Sequence, residues 1–169
     1  MKRVSILAML VLILAVGVVP AAAITAGVLD GEGHPNVGLM IADIDGEPQW
    51  RCTGTLIAPR VFLTAGHCVG DGATAARVWF DSDFANVPDY PSGGEVAIEG
   101  IPIPYPDYLW GGDDPHDVGV VILDEAVDIE LATLPDPDQL GQLKKDGILT
   151  GGYGNSNKED GVFFRSVGY

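Results

Sequence analysis

Cationic side chains are scarce in this chain: nine Lys and Arg stand against 24 Asp and Glu in 169 residues, for a formal net charge of −15. Phosphate backbones and anionic membrane surfaces are held by clustered cations, so nucleic acid and acidic lipid are excluded as partners. Cysteine is almost absent, and Cys52 and Cys68 allow one bridge and no more. Only one long apolar run occurs, Val4 to Val19, which falls short of the roughly 20 residues that a membrane span wants. No helical periodicity, internal repeat or low-complexity tract stands out. Short β-rich runs separated by Gly and Pro turns are there instead, which points to an all-β domain with a sizeable core.

The apolar run follows Lys2-Arg3 and ends at Pro20 and Ala21-Ala22-Ala23. A charged start, an apolar middle and a small-residue site predict a secretory signal peptide over 1–23, cut after Ala23. The rival reading is a permanent membrane anchor, which the shortness of the run and the Ala-x-Ala site disfavour. Losing Lys2 and Arg3 takes the net charge from −15 to −17. The expected localisation is secreted, with no stable membrane anchoring after cleavage.

The most informative stretch runs from Arg51 to Val69. Thr53–Ile57 and Val61–Thr64 flank a turn at Ala58-Pro59-Arg60, a hairpin signature. Folding the hairpin back brings its ends, Cys52 and Cys68, within reach of each other. An even cysteine pair in an exported chain reads as a disulfide, whereas in a cytosolic enzyme it would raise metal or redox readings. Closing a loop of this size stabilises by about 3 kcal/mol in the chain-entropy model. His67 stands beside the second cysteine, at a strand end, where a side chain can be aimed.

Thr64-Ala65-Gly66-His67-Cys68, with Cys52-Thr-Gly-Thr-Leu-Ile upstream, resembles the trypsin/chymotrypsin-like serine proteases, in which a Thr-Ala-(Ala/Gly)-His-Cys segment carries the catalytic histidine. Fifty residues on, Asp117-Val118-Gly119-Val120 is similar to the family's Asp-(Ile/Val)-Ala-Leu segment, with Gly in place of Ala. A carboxylate opening an apolar strand is costly without a partner, and His67 is the partner on offer. The resemblance therefore implies catalytic roles for His67 and Asp117. Ile24-Thr-Ala-Gly resembles, loosely, the family's Ile-Val-Gly-Gly mature N-terminus. Gly147-Ile-Leu-Thr-Gly-Gly-Tyr-Gly resembles the first strand of its second barrel.

Other polar residues attract plainer readings. His34, next to Pro35, reads as a solvated loop histidine, and His116 is given no role. Asp81, Asp83 and Asp89 read as a solvated acidic face, because their spacing fits no regular calcium loop. A zinc site from His67, His116 and nearby acids matches no metal motif, so no metal or cofactor is expected. Tyr90-Pro91-Ser92-Gly93-Gly94 is a turn: it lacks the Gly-Asp that precedes the family's nucleophile and comes before Asp117 rather than after it.

The serine itself is missing. Outside the signal segment the serines are Ser82, Ser92, Ser156 and Ser166, and none lies in Gly-Asp-Ser-Gly-Gly. The oxyanion hole belongs to that same motif, so the resemblance implies a chain with no nucleophile and negligible hydrolysis alone. The implied architecture is a six-stranded antiparallel barrel over 24–134, with a linker and the start of a second barrel over 135–169. Strands are expected at Val37–Ile44, Gln49–Ile57, Val61–Thr64, Ala76–Phe80, Glu95–Ile103, from Asp117 to Leu123 and at Val162–Tyr169. Two functions compete: a secreted endopeptidase acting on protein or peptide substrate and represented here by a truncated copy, and a non-catalytic secreted binding module built on the same barrel. Substrate preference and oligomeric state are not legible.

Overall fold

The computed structural model describes residues 30–83, 87–94, 96–109, 115–149 and 165–169. The signal segment, the Ile24 terminus, Gly151-Gly-Tyr-Gly, the polar loop at 155–161 and Ser156 lie outside them. Strands β1 (Val37–Ile44), β2 (Glu47–Ala58) and β3 (Val61–Thr64) form a meander. A single helical turn, α1 (Gly66–Val69), follows, then β4 (Ala75–Trp79), β5 (Ile98–Pro104) and β6 (Gly119–Leu123). The six strands close an antiparallel barrel in the order β1-β2-β3-β6-β5-β4. This is the all-β architecture that the sequence led us to expect, and its closure leaves no free edge among the six described strands.

Local chemistry explains the turns. Asp45 and Gly46 take φ of 53° and 86° between β1 and β2, the left-handed pair that a two-residue hairpin matching the strand twist requires. Pro59-Arg60 turns β2 into β3, with Ala58 paired to Val61. Inside the barrel, Met40, Ala42, Leu56, Phe62, Val78, Val121 and Leu123 pack as the core. Gly54 lies flat against the Phe62 ring, where an added Cβ would come within 2.4 Å.

A second, smaller cluster sits on the outside of β1 and β4. Ile41, Trp79 and Val87 pack there with Tyr90 and Ala97, so Val87, Tyr90 and Ala97 cover this outer face. Val37–Ile44 therefore alternates only partly in sequence, because β1 is covered on both sides. The same face carries an ion pair. Arg77 grips Asp43 through Nε, 2.8 Å from Oδ2, and through its terminal nitrogen on Oδ1. Both side chains are buried.

Three expectations need correction. The linker contains a helix, α2 (Gln139–Lys145), with Lys144 and Lys145 in its last turn; seven residues are too few for periodicity to show. The strand expected over Val162–Tyr169 is not formed at the described residues 165–169. They lie against the closed barrel instead, where the Tyr169 amide donates to Thr53 Oγ1 at 3.0 Å and its hydroxyl to the Asp81 carbonyl at 3.0 Å. Finally, β6 begins at Gly119, two residues beyond Asp117. Val118 N–H donates back to the His116 carbonyl at 2.7 Å, a three-residue turn that takes Asp117 off the strand ladder. Its carboxylate is 38% exposed rather than buried.

Candidate active site

Three elements converge on His67. The β2–β3 hairpin brings Cys52 to Cys68, and the two are joined with Cα atoms 6.1 Å apart. Thr64 Oγ1 donates to the Thr53 carbonyl at 3.0 Å, tying the two strands together just before α1. The turn of α1 is then held from both sides. Trp50 Nε1 donates to the Cys68 carbonyl at 3.1 Å, filling an acceptor that a one-turn helix leaves open. On the other side the Tyr108 ring lies across Gly66 and Gly70. An added Cβ at either glycine would stand 2.9 Å from that ring.

Glycine at 119 belongs to the same packing. A Cβ there would meet Val69 Cγ2 at 2.2 Å and the Ile103 carbonyl at 3.1 Å. The Gly that stands where the resembling motif has Ala is thus the residue that lets β6 close onto α1.

Asp117 meets His67 at two points. Its Oδ1 accepts the His67 backbone N–H at 2.7 Å, and its Oδ2 lies 2.8 Å from the ring Nδ1. The backbone hydrogen bond, followed by the ring bond, holds the Asp117 carboxyl below its ordinary value. An ionised carboxylate only accepts, so the shared proton sits on Nδ1, and in the neutral ring the lone pair is then on Nε2. The imidazole is 55% exposed and therefore open to a second reactant.

The other residues that the sequence singled out lie elsewhere. His34 Nδ1 is 2.9 Å from both oxygens of Asp30, a separate loop contact. His116 stacks on Tyr105 with centroids 5.3 Å apart and planes 5° from parallel. Ser92 stands in a turn, its N–H donating to the Asp89 carbonyl at 2.7 Å. Asp81 Oδ1 accepts the Asp83 amide at 2.8 Å, a local loop bond. Trp50 and Tyr108 escaped the sequence reading. Trp50 stands two residues before Cys52 on one strand, hence on its face, and that parity was the available signal. Nothing comparable marks Tyr108.

The family model described as Trypsin matches residues 33–167. This chain belongs to the trypsin family of serine proteases. The cercarial protease of Schistosoma mansoni is 29% identical over 142 residues, which cover 75% of this chain and 52% of that protein. The solved structure of HL collagenase superposes with a TM-score of 0.53 at 22% identity, covering 70% of this chain and 50% of that one. At such identity the likeness speaks for the fold alone. This trypsin-family chain thus spans about half the length of the relatives it matches. Members of the family act on proteins and peptides. No helix among the described residues is long and apolar enough to cross a membrane.

Proposed function

We propose that this chain carries the His–Asp half of a secreted trypsin-family endopeptidase, and that it is hydrolytically silent without a polypeptide supplying the serine and oxyanion hole. His67 is the general base: Nε2 takes the proton of an attacking hydroxyl and later delivers it to the leaving amine. Asp117 fixes the ring with its proton on Nδ1 and stabilises the imidazolium formed during transfer. The observation that carries this reading is the two-point grip of one carboxylate on the amide and ring of one histidine. A carboxylate serving only to finish a turn would be satisfied by the amide.

The signal-like segment at 1–23 and the disulfide support secretion. Residues 24–134 act as the barrel that holds the pair, and 135–169 lead toward a second barrel. The second reading, a protease-like binding module without chemistry, draws on the outer face of β5. Ile101 and Ile103 there are 60% and 45% exposed, on a strand face that a lone soluble barrel would make polar.

The coding sequence beyond Tyr169 separates the two readings. A reading frame encoding Gly-Asp-Ser-Gly-Gly within the length of a second barrel supports the protease half. Unrelated sequence over that length overturns it in favour of the module. Purified 24–169 is expected to leave peptide substrates uncleaved in either case; measurable turnover abolished by His67→Ala would overturn the claim of silence.

A further inference from the structure

The staple beside the histidine holds a second set of chemical groups. Cys52, His67 and Cys68 each offer one ligand atom, and the three atoms lie within 4.8 Å of one another. In the disulfide neither sulfur is a thiolate, the form that binds metal. We propose that reduction of the Cys52–Cys68 bridge turns the His67 turn into a binding site for a thiophilic divalent ion such as Zn²⁺ or Cd²⁺. The ligands are the two thiolates and the His67 imidazole. This inference does not rest on the protease reading.

The chemistry balances with a small-molecule thiol as reductant. Two such thiols exchange with the bridge and leave as one disulfide, and Cys52 and Cys68 become thiols. Metal binding then releases their two protons to solvent. Zn–S and Zn–N bonds of about 2.3 and 2.0 Å place the ligand atoms of a tetrahedron roughly 3.5–3.8 Å apart. That lies inside the present 4.8 Å envelope, so the site would form by side-chain rotations that part the two sulfurs and turn Nε2 toward them. The backbone already stands at 6.1 Å between the two Cα atoms.

The surroundings suit a three-ligand site. Cys68 is 3% exposed while His67 opens to solvent, so one side of the ion is dry and a water completes the shell. Asp117 holds Nδ1 of the ring, the outer-shell role that carboxylates play for metal-bound imidazoles, so the ion would take Nε2. An ion there occupies the nitrogen on which any proton transfer by His67 depends. Reducing conditions with metal would therefore close the site twice over, by unstapling it and by capping it.

Cobalt titration of the full chain tests this. The protein is reduced with a phosphine, which does not compete as a thiol ligand, and Co²⁺ is added without oxygen. Thiolate-to-cobalt charge transfer and strong tetrahedral visible bands are expected, both absent from the oxidised protein. Cys52→Ser should abolish the charge transfer that two thiolates give, and His67→Ala should weaken Co²⁺ binding at least about tenfold. No charge-transfer band, or equal affinity in wild type and His67→Ala, overturns the proposal. Equal affinity is also what two thiols in an unfolded reduced chain would give, so loss of the barrel on reduction is scored by the same comparison. Alkylation supplies an independent readout. Zn²⁺ should slow iodoacetamide modification of reduced wild type at least about tenfold more than that of His67→Ala, and equal protection overturns it.

Discussion

Two carboxylates in this barrel are each held at two points, and they are held for different ends. Asp43 meets Nε and a terminal nitrogen of Arg77 on the outer face of β1 and β4, with both side chains buried. Asp117 meets the amide and ring of His67 at the mouth of the barrel, where the pair is 38% and 55% exposed. Arginine never gives up its proton, so the first pair is a fixed charge arrangement. An imidazole, by contrast, can both take up and release a proton. Similar geometry thus ties two strands together in one region and, on the function proposed above, readies a reaction in the other. The difference lies in the partner's chemistry and in access to water.

The comparison is broken most severely at the buried pair. Arg77→Met leaves Asp43 buried without a counter-charge, and it should cost about 3–5 kcal/mol in urea unfolding. Adding Asp43→Leu should recover most of that loss, since apolar groups of similar volume replace a buried pair at little cost. A double variant as unstable as the single would mean that the loss does not come from an uncompensated charge on Asp43. Next comes the staple. Replacing Cys52 and Cys68 by Ala should cost about 3 kcal/mol, with a larger effect on the order of α1 than on the distant Asp43–Arg77 region. Hydrogen exchange, residue by residue, measures that asymmetry.

What could be read in advance follows from how local each signal was. The hairpin, its staple and the alternating strands are encoded within short contiguous stretches, and the barrel closes from them. His67 and Asp117 were singled out as a pair, and the structure sets them 2.8 Å apart. The outer cluster was hidden because it depends on a loop folding back: nothing in Ile41 or Trp79 says that Val87, Tyr90 and Ala97 will cover them. Asp117 was misjudged as a buried strand residue because Val118-Gly119-Val120 continues the apolar run. The ladder begins only at Gly119, where the Thr64 pairing starts. Tyr108 was invisible for the same reason, since its contacts with Gly66 and Gly70 cross the chain.

A smaller change sharpens the exposed side of the comparison. Gly119→Ala forces a Cβ to within 2.2 Å of Val69 Cγ2, and Val is stiff at χ1. Overpacking of this kind costs about 1–3 kcal/mol. The strain falls on α1, and with it on His67. Adding Val69→Ala should restore the His67–Asp117 contact, seen in the ring proton resonance, even while a cavity keeps stability low. If the two substitutions simply add, the clash is not the cause.

The smallest effect on stability, and the most telling for chemistry, comes from Asp117→Asn. An exposed pair contributes at most about 1 kcal/mol, so the barrel should persist. The contribution that does exist has a fixed sign with pH. Because the folded carboxyl lies below its ordinary value, its stabilisation is complete above the unfolded pKa of about 3.9 and is lost as pH falls through the folded value. The stability gap between wild type and Asp117→Asn should therefore narrow as pH drops from neutrality to below about 4, and a gap flat in pH would mean that the carboxylate is not gripped. The tautomer is the second readout. The substituted amide can still accept the His67 N–H through its carbonyl oxygen, but its NH₂ then faces Nδ1 as a donor. The ring proton must move to Nε2, and the lone pair needed to receive a proton is lost. Nitrogen chemical shifts of the His67 ring should exchange their protonated and unprotonated positions. An unchanged Nδ1–H tautomer would show that something other than Asp117 sets the orientation of that imidazole.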